Sequence, residues 1–418
     1  MVIQATTIQE KWRKFPIKDL VDLVVDNRGR NPDHYVSKGI PVIDNVLIKG
    51  ERKIELSEAR RFIDDDTYST FIRKYNQEND VLITLVGNGY GNVALSPKEK
   101  SIIMQNTIGL RCNDLGDNVF LFYNLSLNKR SLTDLNIGAA QPSIKVGDLL
   151  SIELTIPPIT EQRAIASILS SLDDKIELLR EQNKTLEATM QAIFKEWFEN
   201  FNFPGATGKM IDSELGEIPE GWKVGQIKDL IDILSGFAFQ SSSFLDEGRY
   251  KLVTIKNVQD RNFVFDKTDK ILEIPSKMPD YCKLDSGDIL LSLTGNVGRV
   301  CLVIGSDFLL NQRVAKLRPK NEIDYTFSYL LFLQDSIFNI LQSTASGTAQ
   351  QNLSPIQTKE IAIVIPDRKT LDKFGLVGNS LIRKVNENNS QIQTLSTLRD
   401  AILPKLIKGE VRVKGFEN

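Results

Sequence analysis

Between residues 158 and 198 the apolar positions fall alternately four and three apart, at Ile165, Leu169, Leu172, Ile176, Leu179, Leu186, Met190, Ile193 and Trp197. That alternation is a heptad seam, which predicts one long helix whose apolar stripe seeks another helix rather than a sheet. Thr160 is placed to cap its start, with Glu161 near the positive helix end. A second seam follows residue 367, at Phe374, Leu381, Val385, Ile392, Leu395 and Ile402, and Pro404 is expected to end or kink it. Neither stripe can stay in water, because each buried Leu or Ile is worth roughly 1.5 to 3 kcal/mol. The two helices are therefore expected to pair, with Leu172, Ile176, Leu179, Leu186, Leu381, Val385, Ile392 and Leu395 in the core. Connectivity makes the pair antiparallel, a rod of roughly 60 Å at 1.5 Å per residue. Asn183 and Asn388 interrupt the two seams, and a twofold repeat would bring them into one layer that fixes register.

The rest of the chain is written twice, at an offset of about 210 residues. Trp12 answers to Trp222, IKDLVDLV (17 to 24) to IKDLIDIL (227 to 234), and IDNV (43 to 46) to IKNV (255 to 258). DVLITLVGNGYGNVAL (80 to 95) matches DILLSLTGNVGRVCLV (288 to 303), and AQPSIKVGDLLSIELTIP (140 to 157) matches AQQNLSPIQTKEIAIVIP (349 to 366). The alternating ends of the last pair, SIELTIP and EIAIVIP, read as strands. Each globular part is thus mixed α/β, and the expected order is a domain over 1–157, a spacer helix over 158–203, a domain over 204–366 and a second spacer helix over 367–418.

Composition narrows the function classes. With 41% hydrophobic and 25% charged residues, the 418-residue chain has the make-up of a folded protein with room for several cores. A single histidine, His34, leaves little for imidazole-based catalysis or zinc binding. Cys112, Cys282 and Cys301 are scattered and lack metal-ligand spacing, so buried or free thiols are expected. No apolar run is long enough to span a bilayer and no signal-peptide core opens the chain, which points to the cytoplasm. A net charge of −2 does not announce a free-standing nucleic-acid binder. If the chain binds DNA, a partner is expected to supply part of the positive field.

The glycine-rich GNGYGN (87 to 92) lies between two strand patterns, as does its counterpart TGNVGR, so it reads as a hairpin turn and not a phosphate loop. NPDH (31 to 34) resembles only superficially the Asn-Pro-Pro-aromatic motif of adenine methyltransferases, and is a loop. Asn88, Tyr90 and Asn92 in the first turn, with Asn296 and Arg299 in the second, are candidates to face DNA. DNRGRNP adds Arg28 and Arg30, and SGFAFQSSSF adds Gln240. The IDNV and IKNV repeats contribute Asn45, Lys256 and Asn257, and the AQ steps Gln141 and Gln350. For all of these a plain solvated loop or turn is the competing reading. Arg313 and Arg318, near a strand, fit phosphate contacts or structural ion pairs better than base reading.

Taken together, IPPITEQRAIASILSSLDDKIELLREQN, the linker SELGEIPEGW and AQQNLSPIQTKEIAIVIP resemble the specificity subunits of type I restriction-modification systems over essentially the whole chain. The resemblance implies a non-catalytic subunit with two target-recognition domains, each reading one half of an asymmetric bipartite site in double-stranded DNA. It further implies that the helices set the spacing and dock methyltransferase subunits, two of them, with restriction and translocase subunits joining the same complex. S-adenosylmethionine, ATP and magnesium would belong to those partners and not to this chain. The second helix departs from the fuller ITEQRAIASIL pattern, with Gly375 and Gly378 expected to weaken it by up to about 1 kcal/mol each. Two rivals remain: the recognition half of a stand-alone methyltransferase, and a coiled-coil scaffold unrelated to DNA.

Overall fold

The computed structural model describes residues 12–29, 31–136, 142–265, 268–345 and 351–415, with the backbone of the strand Ile3–Ala5. Two compact units divide the chain, one of Met1–Lys175 and Leu395–Asn418, the other of Ile176–Thr394. The long helices are continuous through Ile159–Phe194 and Arg368–Ile407, 36 and 40 residues. Each unit therefore contains one end of both. No helix among the described residues is long and apolar enough to cross a membrane.

In the first unit a four-stranded antiparallel sheet runs in the order Val21–Val25, Thr107–Cys112, Val81–Thr84, Val93–Leu95. The second unit repeats it as Ile231–Ser235, Val314–Pro319, Ile289–Ser292, Val300–Leu302. A parallel pair accompanies each sheet: Ile40–Ile43 beside Ile102–Ile103, and Tyr250–Val253 beside Phe308–Leu310. The strands Glu153–Ile156 and Ala362–Ile365, from the SIELTIP and EIAIVIP runs, pair with Arg13–Pro16 and Lys223–Gln226. Both glycine turns are hairpin connections, with Gly87, Gly89, Gly91, Gly295 and Gly298 at positive φ. The NPDH segment is loop.

Within the first unit the helix ends run antiparallel, since Asp173 accepts from Arg399 at 2.8 Å while Ile165 and Leu169 share a core with Leu406 and Ile407. In the second unit, Asn183 accepts from Asn388 at 2.9 Å and donates to Asn389 at 2.7 Å, and the ring of Phe194 meets that of Phe374 at 6.0 Å. Numbering again rises along one helix as it falls along the other. Ile176, Leu179 and Val385 are buried, while Leu172, Leu186, Leu381, Ile392 and Leu395 are half-buried. Ile382, outside the heptad reading, is buried as deeply as Ile176, because this stretch belongs to the wider core of its unit.

Three expectations about the helix ends are corrected. Thr160 does not cap the first helix: the carbonyl of Pro158 accepts from the amides of Glu161 and Gln162, so Thr160 sits inside the first turn. Glu161 is fully buried and forked to Arg412, with Nη2 to Oε2 at 2.7 Å. Of the two outcomes expected at Pro404, an end or a kink, the first is corrected: the second helix continues to Ile407, where Leu406 and Ile407 are anchored in the first unit's core. Gly375 and Gly378 are not mere weak points. A Cβ at Gly375 would stand 2.2 Å from the Ile323 carbonyl oxygen, and one at Gly378 would stand 2.9 Å from Thr326 Cγ2. The helix backbone approaches that segment closely only because both side chains are absent.

Two predictions follow from this packing. Replacing Asn388 alone by Leu leaves the amide oxygen of Asn183 without its donor and should destabilise the chain by about 1–3 kcal/mol, whereas Asn183→Leu with Asn388→Leu should recover or exceed the original stability in urea titrations. Equal losses in single and double variants would show that the amides do not act as a pair. Gly375→Ala should lower the melting temperature, corresponding to about 1–3 kcal/mol of overpacking, although helix propensity alone would stabilise the chain by about 1 kcal/mol and raise it. The sign of the shift decides between the two effects.

Candidate nucleic-acid interface

Each parallel strand pair delivers two turns to one edge of its unit. In the first unit Ile43 is level with Ile103, and the chain turns at 44–47, where the amide of Leu47 donates to the carbonyl of Asp44. In the second, Val253 is level with Leu310, and Asn257 donates to Thr254 in the same way. This geometry fixes the repeat register: Ile43 corresponds to Val253, Leu47 to Asn257, and Gln105 to Gln312. The sequence pairing of IDNV with IKNV is therefore two residues out. Asn45 stands opposite Ile255, not Asn257.

Asn257 is corrected by the same register. It takes the place of buried Leu47, is itself 1% exposed, and accepts from Thr254 N at 2.7 Å while donating to Val264 O at 2.6 Å. Its amide closes a loop and is not presented to a ligand. Asn92 is likewise consumed, donating to Ile48 O at 2.8 Å and accepting from Lys129 at 2.6 Å. Arg28 forks onto Asp26 at 2.9 and 2.7 Å, and this hydrogen bonding holds the Asp26 carboxyl below its ordinary range against the opposing effect of burial. Arg28 thus has one edge of its guanidinium engaged within its own loop. Arg299 reaches Gln259 at 3.3 Å, and Arg318 pairs with Asp232 at 2.8 Å.

The remaining candidates are more open. Asn45 donates to the carbonyl of Asn88 at 3.2 Å, joining the 44–47 turn to the glycine turn, and Asn88 is exposed. Tyr90 packs partly against the first unit's core, and Asn296 accepts at its carbonyl from Arg299 N. Gln240 and Lys256 are exposed, and Lys256 lines a concavity of about 770 Å³ with Phe239, Phe244 and Lys270. Arg30, Gln141 and Gln350 lie outside the described residues.

Several residues at these edges were not singled out from sequence. In the first unit Arg61 forks onto Asp44, meets Tyr35 Oη at 3.2 Å and lies over the Tyr35 ring, and donates to Gln105 at 3.3 Å. Gln105 has φ of 54° and donates in turn to Asn31. Asn27 ties this edge down from below, donating to Ile103 O at 3.2 Å and Lys74 O at 2.8 Å. A usable signal existed: a glutamine recurs two residues after each short apolar strand, in IIMQN and FLLNQ.

The thiols take no part. Burial pushes Cys112 up to about 12 and Cys301 higher still, so neither offers a thiolate near neutral pH. His34 is exposed, 3.5 Å from Asp64 on the surface.

The family described as the type I restriction modification DNA specificity domain matches the chain twice, at residues 9–188 and 219–388. The MjaVIII type I restriction enzyme specificity subunit of Methanocaldococcus jannaschii is 27% identical over 422 residues, covering 98% of this chain and 95% of its own. The MjaIX specificity subunit of the same organism is 26% identical over 420 residues, with 97% and 95% covered. In fold the chain is similar to the type I restriction-modification S subunit from M. genitalium, at a TM-score of 0.63 and 18% identity, covering 96% of this chain and 98% of that one. Two matched repeats spanning most of its length place this chain in the type I restriction-modification DNA specificity family.

Proposed function

We propose that each α/β part reads one half of an asymmetric, bipartite DNA site, residues 1–157 forming one recognition domain and 204–366 the other. As a member of its family the chain is a DNA-specificity subunit of a type I restriction-modification system and not itself an enzyme. The observation that carries the two-half reading is the pair of sheets with one strand order whose edge turns hold different side chains. Asp44, Arg61 and Gln105 occupy one edge, and Thr254, Gln312 and Arg313 the other. A shared frame with unlike contacts suits two half-sites of related geometry and different sequence.

The two long helices, Ile159–Phe194 and Arg368–Ile407, act in this reading as the spacer and as the docking surface for two methyltransferase subunits. Restriction and translocase subunits join through the complex. S-adenosylmethionine, ATP and magnesium are bound by those partners, which also supply the positive field that a net charge of −2 does not. The complex is proposed to work in the cytoplasm. Exposed Asn88, Gln240 and Lys256 and half-buried Asn45 and Asn296 are proposed contacts, and Arg28 and Arg299 are proposed to stiffen their loops.

The test is exchange of residues 1–157 for the corresponding part of another family member, followed by mapping of methylated adenines in the assembled complex. One half of the methylated site should change while the other stays fixed. Change in both halves, or in neither, refutes the division of labour. Binding by the complex should also weaken steeply with salt, with a log-log slope of about −0.9 for each phosphate neutralised. A scaffold unrelated to DNA would show no sequence-selective retention at any salt.

A further inference from the structure

In the second unit the chain passes from the strand Phe308–Leu310 to the strand Val314–Pro319 through Asn311, Gln312 and Arg313. The backbone of this crossing is fastened on every side. Asn311 N donates to Val253 O at 3.1 Å, Gln312 N to Phe237 O at 3.0 Å, and Leu293 N to Arg313 O at 3.0 Å. Gly236 N donates to Val314 O at 3.0 Å, and a Cβ on Gly236 would stand 2.2 Å from the Asn311 carbonyl oxygen. The clamp closes because residue 236 is glycine.

The side chains of Gln312 and Arg313 contrast with this. Both residues are exposed, and neither side chain makes a hydrogen bond or ion pair to any described residue. Together they form the ridge between two concavities of about 770 and 650 Å³. Lys256 and Lys270 line the first, and Thr294 and Asn352 line the second. A loop that is merely solvated has no need of so firm a backbone. Firm backbone with free amide and guanidinium groups is what base reading requires, because the orientation is set before the ligand arrives.

From this we infer, against the sequence expectation of a phosphate contact or ion pair for Arg313, that Gln312 and Arg313 are base-reading residues of the second recognition domain, Arg313 taking the O6 and N7 acceptors of a guanine and Gln312 the N6 and N7 groups of an adenine in one half-site. The inference rests on the proposed division of the DNA site between the two domains and assigns the reading of one half. It also accounts for unlike half-sites. The corresponding Gln105 of the first unit is bound by Arg61 and Asn31, so there the same backbone position carries an occupied amide.

The test uses the chain assembled with its methyltransferase subunits and a duplex pool randomised over the half-site that exchange of residues 204–366 reassigns. Bound and unbound fractions are sequenced. Arg313→Ala should lower binding to the preferred guanine-containing sequences about ten- to a hundred-fold and flatten preference at that base pair. Gln312→Ala should do the same at an adenine, leaving other positions unchanged. Arg313→Lys keeps the charge and loses the fork, so it should lose the guanine preference while holding the salt dependence. Melting of all three should match the parent, since both side chains are exposed.

Uniform weakening across all sequences, with the salt slope reduced by about one phosphate's share, would overturn the assignment and make Arg313 a backbone contact. Unchanged binding would make the ridge a solvated loop. If the exchange of residues 204–366 reassigns a half-site while both alanine variants keep the parental preference, only this residue assignment falls. If the exchange itself reassigns nothing, the broader two-half reading falls with it.

Discussion

Burial of the long helices is the constraint on which the rest of this structure depends. Their stripes carry too much apolar surface to remain in water, and each α/β part uses that surface to complete its own core. Ile165 and Leu169 join Leu406 and Ile407 in the first unit, while Met190 and Phe194 join Phe374, Ile382 and Val385 in the second. A recognition domain stripped of its helix ends would thus lose part of its interior. The polar layer of Asn183, Asn388 and Asn389 punctuates this apolar contact in the second unit with directed hydrogen bonds. Such bonds discriminate between registers, where Leu against Leu discriminates poorly.

On that support the two sheets act as equivalent frames. Identical strand order and equivalent parallel pairs bring the same turns to the same edge in both units. What differs is how each edge spends its side chains. In the first unit Arg61, Asp44, Tyr35, Gln105 and Asn31 satisfy one another, whereas in the second Gln312 and Arg313 face outward from a clamped backbone. The arrangement suits the DNA-specificity role of its family. Its thiols are shifted away from reactivity by burial, and its single histidine lies at the surface.

Comparing the repeats in three dimensions also explains why matching letters misled at one point. The asparagines of IDNV and IKNV align by identity, yet strand pairing makes Asn257 the counterpart of Leu47. A buried position in one copy is filled by carbon and in the other by an amide whose hydrogen bonds are all internal. Gly375 and Gly378 carry a similar lesson, since propensity counted them as defects and packing gives them a purpose.

Periodicity and repetition are local properties of a chain, and the sequence by itself therefore determined the two long helices, the duplicated α/β parts, the hairpin character of the glycine turns and the family resemblance. Whether a polar side chain is free to meet DNA depends instead on partners distant along the chain, and only the tertiary structure decided that. Asn92 is spent on Ile48 and Lys129, and Asn257 is closed upon Thr254 and Val264. Gln312 is left open because Phe237 holds its backbone and Leu293 that of Arg313, while neither claims its side-chain amide. Helix periodicity shows in the order of residues, whereas the occupancy of a hydrogen-bonding group is settled when separate segments come to rest against one another.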